Sequence, residues 1–304
     1  MKHTILLLAL LFSLTSLSQN IERYTTSSAE GILLLPEGEV LGLIIRDFSE
    51  LPELPVRYTY QFTPLALQDS MAVFVTRTSA YYPDLYLNDD GPKRLDSLLH
   101  QVFEKHPEIP SKNTFIGGIS ASGTRALRYT EYCNSGKSMY GYKMKGCFAV
   151  DPPLDLERFF QTCVKILERN HEISNIWECN LITETLLTHL EGTPSDQYDK
   201  YVDASVYNYS SPDEPQIAPY LETPIMLIHE PDVEWWVENR MAASAESNMT
   251  DVSAFYVALV SQGHSDATLI NTRDRGYDVN GNRKPHSWSI VNEPELIDWI
   301  KSKL

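Results

Sequence analysis

Basic residues are scarce in this chain. Among 304 residues there are 25 Lys and Arg against 41 Asp and Glu, a net charge of −16. Nucleic acid needs basic patches to neutralise its phosphates, and an anionic membrane surface needs them too, so neither is expected as a partner. Cysteine is also sparse: four in a chain this long do not make a disulfide framework. Cys147 lies in an apolar run and reads as a buried thiol, while Cys163 and Cys179 are the two that could bridge. No Cys/His spacing fits zinc and no Gly-rich loop fits a phosphate, so no metal or cofactor is expected. Internal repeats and low-complexity tracts are missing as well. Past the first residues, no apolar run is long enough to cross a bilayer.

The first residues read as a targeting segment. Met1-Lys2-His3 is a short basic start, 4–14 is an apolar core, and Ser16-Leu17-Ser18 offers small residues for cleavage after Ser18. The apolar core is too short and wrongly flanked for a membrane span. No cysteine stands near the cut to carry a lipid. The expectation is a cleavable signal peptide over 1–18 and a periplasmic or extracellular protein over 19–304. Asn208-Tyr209-Ser210 and Asn248-Met249-Thr250 match the glycosylation pattern, which has meaning only in a host that glycosylates.

The remainder alternates between strand-like and helix-like segments. Strands are predicted over 31–35, 40–45, 72–76, 115–119, 146–150, 224–228 and 267–272. Helices are predicted over 62–71 and 94–105, the latter with Leu95, Leu98, Leu99, Val102 and Phe103 at helical spacing, and over 294–304. This alternation implies α/β architecture, a mainly parallel sheet with helices on both faces. Asp151-Pro152-Pro153 reads as a strand stop. After it come two helical stretches, 154–169 and 176–190, then a Tyr-, Ser- and Pro-rich run to Tyr220. The segment 152–220 is therefore expected to be an insertion between strands.

The chemistry concentrates at Phe115-Ile116-Gly117-Gly118-Ile119-Ser120-Ala121-Ser122-Gly123. An apolar run ends in glycines, a serine stands among small residues, and a helix-like run follows. Strand, sharp turn and helix with serine at the apex is the context of a nucleophile elbow, where large flanking side chains would clash. Gly118 precedes Ser120 by two, as in G-x-S-x-G, but the second glycine stands one place late, at Gly123. Ser120 is preferred as the apex. Ser122 is the alternative, though neither glycine would then be in place.

A serine nucleophile needs a base, and the base needs an orienting carboxylate. His286, in a polar loop before the last helix, is preferred over His264 as base. The apolar run 224–228 leads into His229-Glu230-Pro231-Asp232, where Asp232 is the preferred acid and Glu230 and Glu234 are alternatives. His229 reads as a buried or supporting polar group. Trp235-Trp236 reads first as packing for the following helix, with a pocket wall as the other reading.

With these residues in view, the chain resembles the α/β-hydrolase superfamily, of the serine esterase and acyl-peptidase type. The likeness runs from about Gly31 to Leu304 and is firmest at Gly118 to Gly123. It implies Ser120 as nucleophile, His286 as general base and Asp232 as orienting acid. It also implies the backbone N–H of Ala121 as an oxyanion donor, and 152–220 as a helical cap over Ser120. The activity implied is hydrolysis of a small-molecule ester, less readily an amide or peptide, without a cofactor; a hydrolase-fold protein that only binds is the other class. The likeness departs at the first oxyanion segment. In place of His-Gly-Gly-Gly stands Arg46-Asp47-Phe48-Ser49-Glu50, which leaves the second donor unassigned.

Overall fold

The computed structural model describes residues 20–51, 61–211 and 216–304. The expected signal peptide lies outside the described residues. Eight strands form one sheet in the order β1-β2-β4-β3-β5-β6-β7-β8. They are β1 (Asn20–Thr25), β2 (Glu30–Leu35), β3 (Gly42–Asp47), β4 (Met71–Arg77), β5 (Thr114–Ile119), β6 (Gly146–Val150), β7 (Ile225–His229) and β8 (Ala267–Asn271). β1 and β2 pair antiparallel, and β2 joins β4 antiparallel. From β4 through β3, β5, β6 and β7 to β8, every pairing is parallel. This is the α/β-hydrolase fold.

The strands are apolar on both faces because helices cover both, as a buried parallel sheet requires. Leu43 and Ile45 face one core, packed by α2 (Asp90–Lys105), α3 (Ala121–Asn134) and α8 (Met249–Ser261). Ile44, Val73 and Phe148 face the other, packed by α1 (Phe62–Gln68) and α9 (Glu293–Ser302). A third core belongs to the insertion: Phe160, Cys163 and Ile166 of α4 (Leu156–Arg169) pack on Cys179, Ile182 and Leu186 of α5 (Ile176–Leu190) and on Tyr201 of α6 (Tyr198–Ala204). The Asp251 carboxylate of α8 fastens this unit to the main core, accepting hydrogen bonds from the Leu154 and Asp155 backbone N–H groups at 2.8 and 3.1 Å and pairing with Arg158.

β3 runs two residues further than the sequence suggests, and those two residues are buried. Arg125 of α3, fully buried, donates through Nε to Asp47 Oδ2 at 2.6 Å and through Nη1 to the Asp84 carbonyl at 2.8 Å. The other oxygen of Asp47 takes Thr76 and Thr78. The pair ties the end of β3 to the helix behind the elbow. In the segment that stands where His-Gly-Gly-Gly was looked for, the Phe48 N–H is occupied by the Thr76 carbonyl at 2.8 Å. No described helix is long and apolar enough to cross a membrane.

Candidate active site

Ser120 stands between β5 and α3 with φ 54° and ψ −130°. A non-glycine residue there is strained, and such strain persists only where its surroundings enforce it. Its N–H donates to the Val150 carbonyl of β6 at 2.9 Å, which pins the turn to the neighbouring strand. The flanking glycines are needed for space. A Cβ on Gly118 would meet Ser122 Cβ at 2.5 Å, and one on Gly123 would meet the Gly118 carbonyl at 3.1 Å. The displaced second glycine therefore still serves the close approach of helix and strand. Ser122 faces elsewhere, its hydroxyl accepting from Arg125 Nη2 at 3.2 Å. Ala121 opens α3, so its N–H has no acceptor within the helix and is oriented with the helix N-terminus.

His286 shares a cavity of about 200 Å³ with Ser120. The segment around His286 is fixed by Trp288, which is buried against Phe62 and Phe148 and donates from Nε1 to Glu293 at 2.6 Å. His286 Nδ1 hydrogen-bonds Oδ2 of Asp151. This corrects the sequence reading, which gave that carboxylate to Asp232. Asp232 instead caps α7 (Val233–Arg240), accepting from the Trp235 N–H at 3.0 Å, and pairs with Arg283 at 2.7 Å. Glu230 is buried and also held by Arg283, at 2.6 Å. Both acids past β7 are thus neutralised by the loop that carries the histidine.

Asp151 directly follows β6 with φ 46°, a left-handed conformation that aspartate tolerates better than most residues. Its N–H bonds the Ile228 carbonyl at 2.8 Å, and its own carbonyl accepts from Asn248 Nδ2 at 2.9 Å. The carboxylate is divided: Oδ2 serves His286 and Oδ1 lies 2.5 Å from Nδ1 of His229. A carboxylate can only accept, so both imidazoles donate from Nδ1. Burial alone would raise the Asp151 pKa, but the two imidazoles outweigh it and hold the carboxyl well below the usual range. Burial would likewise lower the His286 pKa; the Asp151 charge and hydrogen bond outweigh that and raise it above the ordinary 6.5.

The rest of the site sorts plainly. His264 is buried in the turn between α8 and β8, where Nε2 meets the Thr223 carbonyl at 2.9 Å and Nδ1 takes the Asp266 N–H at 3.0 Å. Trp235 and Trp236, read first as packing, are half-buried and line the cavity, set edge to face at 5.2 Å. Phe159 and Ile166 of α4 and Ile182 of α5 line it from the insertion. Cys163 and Cys179 lie on the same wall as free buried thiols, not bridged. The sequence reading missed Asp151. Its signal was an acid at the C-terminal end of a parallel strand beside the elbow strand, the edge where open α/β sheets place their sites.

No family model matches the sequence, and no curated protein matches it significantly. Solved structures do match in fold. Acylaminoacyl peptidase of Pyrococcus horikoshii matches with TM-score 0.61 at 12% identity, over 94% of this chain and 42% of that one. Carboxyl esterase 2 of Tuber melanosporum matches with TM-score 0.58 at 14% identity, over 94% and 86%. A sugar hydrolase of Lactococcus lactis matches with TM-score 0.51 at 16% identity, over 93% and 98%. The chain thus spans less than half of the peptidase but most of the other two.

Proposed function

We propose that this protein is a serine hydrolase that cleaves a carboxylic ester through an acyl-enzyme. The observation that carries the reading is the Asp151–His286 hydrogen bond beside a strained elbow serine in one cavity. With Nδ1–H committed to Asp151, the neutral imidazole keeps a lone pair on Nε2, the form a general base needs. Ser120 Oγ attacks the ester carbonyl while its proton passes to His286 Nε2. The developing oxyanion takes the Ala121 N–H. Collapse breaks the bond to the alkoxy oxygen, which leaves with the proton from His286. Water then repeats the cycle on the acyl-enzyme and restores Ser120. Asp151 remains ionised throughout and stabilises the imidazolium.

The esterase and peptidase titles among the fold neighbours agree with this reading. The insertion supplies cavity wall from α4 and α5 and acts, in this proposal, as a cap that sets acyl preference. Export through the segment 1–18 belongs to the same proposal. The test is a burst experiment with p-nitrophenyl acetate. An acyl-enzyme gives a burst in proportion to enzyme, and Ser120→Ala abolishes both burst and turnover while the circular dichroism is unchanged. Turnover unchanged in Ser120→Ala would refute the assignment.

A further inference from the structure

The cavity beside Ser120 and His286 carries four charged side chains from the helices and loops around it: Glu178, Glu246, Arg240 and Lys284. Their partners differ. Glu246 is paired with Arg169 from α4, and Lys284 with Asp278 at 3.3 Å. Glu178 has both carboxylate oxygens occupied, one by the Tyr82 hydroxyl at 2.8 Å and the other by Asn175 Nδ2. Arg240 is different. Among the described residues no carboxylate pairs with it, and its side-chain hydrogen bond goes from Nη1 to the neighbouring Asn239 carbonyl at 2.9 Å. The guanidinium is supported by the Trp235 ring, 5.1 Å from its centroid.

A guanidinium has five N–H donors in a planar fork that matches a carboxylate. Stacking on an aromatic ring holds the plane and leaves the edge for such an anion. Arg240 is half-buried on the cavity wall, and its charge, like the opposite charge of Glu178, is close enough to act on His286. The cation that faces the reacting centre without an anion is therefore Arg240. Of the two acids on the same cavity, Glu246 is paired with Arg169 and Glu178 is hydrogen-bonded by neutral donors, which makes both weaker candidates for binding a charged group.

We propose that Arg240 is the specificity residue of this site and that the substrate carries a carboxylate, bound by the guanidinium while the ester lies at Ser120. The inference rests on the serine-hydrolase reading for the ester but not for the anion.

Three phenyl esters test it: phenyl acetate, neutral; phenyl hemisuccinate, with the carboxylate on the acyl side; and 4-acetoxybenzoate, with it on the leaving group. The wild type is expected to prefer one acid ester over the neutral one by about tenfold or more in kcat/KM, the size of a charge-assisted hydrogen bond. The readout is that ratio. Arg240→Gln should bring it near one, chiefly through KM, and Arg240→Lys should keep part of it. A ratio unchanged in Arg240→Gln overturns the proposal. Binding of phenyl hemisuccinate and 4-acetoxybenzoate to the Ser120→Ala protein by calorimetry separates the two readings. A loss of about tenfold or more on adding Arg240→Gln supports the anion site even if no ester is turned over. Equal affinity with and without Arg240 removes it even if Ser120 is catalytic.

Discussion

Glu230 accepts from Arg283 Nη2 at 2.6 Å, buried at the end of β7. That one pair explains why the acid opposite His286 is not where the chain order suggests. The arginine sits on the loop that delivers His286, and it holds Asp232 as well. With both acids past β7 clamped to Arg283, the imidazole meets the acid of the adjacent strand instead. The clamp joins the histidine loop to the sheet, and Asp151 orients the ring.

The two acids therefore respond differently to removal of charge. Asp151→Asn is expected to lower kcat by about three to four orders of magnitude, because the amide no longer fixes the imidazole tautomer. Asp232→Asn retains an N-cap for α7, and Glu230 still holds Arg283, so activity should change less than about tenfold. Steady-state kinetics on one neutral ester decide between them, and a larger loss in Asp232→Asn would reverse the assignment.

The pH profile carries the sign of the His286 shift. Attack needs the neutral imidazole, and Asp151 favours the protonated one. The acid limb of kcat/KM should then have its inflection above the ordinary 6.5. In Asp151→Asn the limb should move down. The same raised pKa works the other way on stability: the contribution is complete below the unfolded value and is lost as pH rises through the folded one. Measured profiles of wild type and Asp151→Asn check both directions.

His229 should act through Asp151 without touching substrate. Its Nδ1 lies 2.5 Å from Oδ1, and both side chains are buried. His229→Ala leaves a buried carboxylate oxygen without its donor, which costs about 1–3 kcal/mol and frees the carboxylate to turn. The expected result is a fall in kcat of about tenfold or more, with KM little changed and the acid limb displaced. His229→Asn places an amide donor near the same point and should recover most of the loss. A variant that only lost stability, with kcat and pH profile intact, would show that His229 merely fills space.

Arg125 is a packing partner of the elbow, not of the substrate. Removing one side of a fully buried ion pair strands the other, so Arg125→Met should destabilise by about 3–5 kcal/mol in urea unfolding. Much smaller destabilisation would mean that Asp47 is satisfied by Thr76 and Thr78 alone.

What the sequence made legible was the part governed by local pattern. Apolar periodicity marked the parallel strands and α2, small residues marked the elbow at Ser120, and a polar loop before the last helix marked His286. Asp151 was not legible in the same way. It was read as a strand stop because Pro152 and Pro153 follow it, and its pairing with His286 spans the insertion and two strands. Nothing local distinguishes an acid that follows β6 from one that follows β7; the choice is made by Arg283, which is distant in sequence from both. The end of β3 was obscured likewise. Arg46 and Asp47 look like loop residues by polarity, yet they end β3, and Asp47 is buried because Arg125 of α3 meets it. The early strand β1 starts in a stretch for which the sequence analysis names no element.

The most direct test of the account is to locate the reactive serine. The purified protein is treated with a fluorophosphonate, digested, and the modified peptide is sequenced by mass spectrometry. The account predicts a single adduct on Ser120, still formed in Ser122→Ala and strongly slowed in His286→Ala. An adduct on Ser122, or no adduct in a folded wild-type protein, would contradict it.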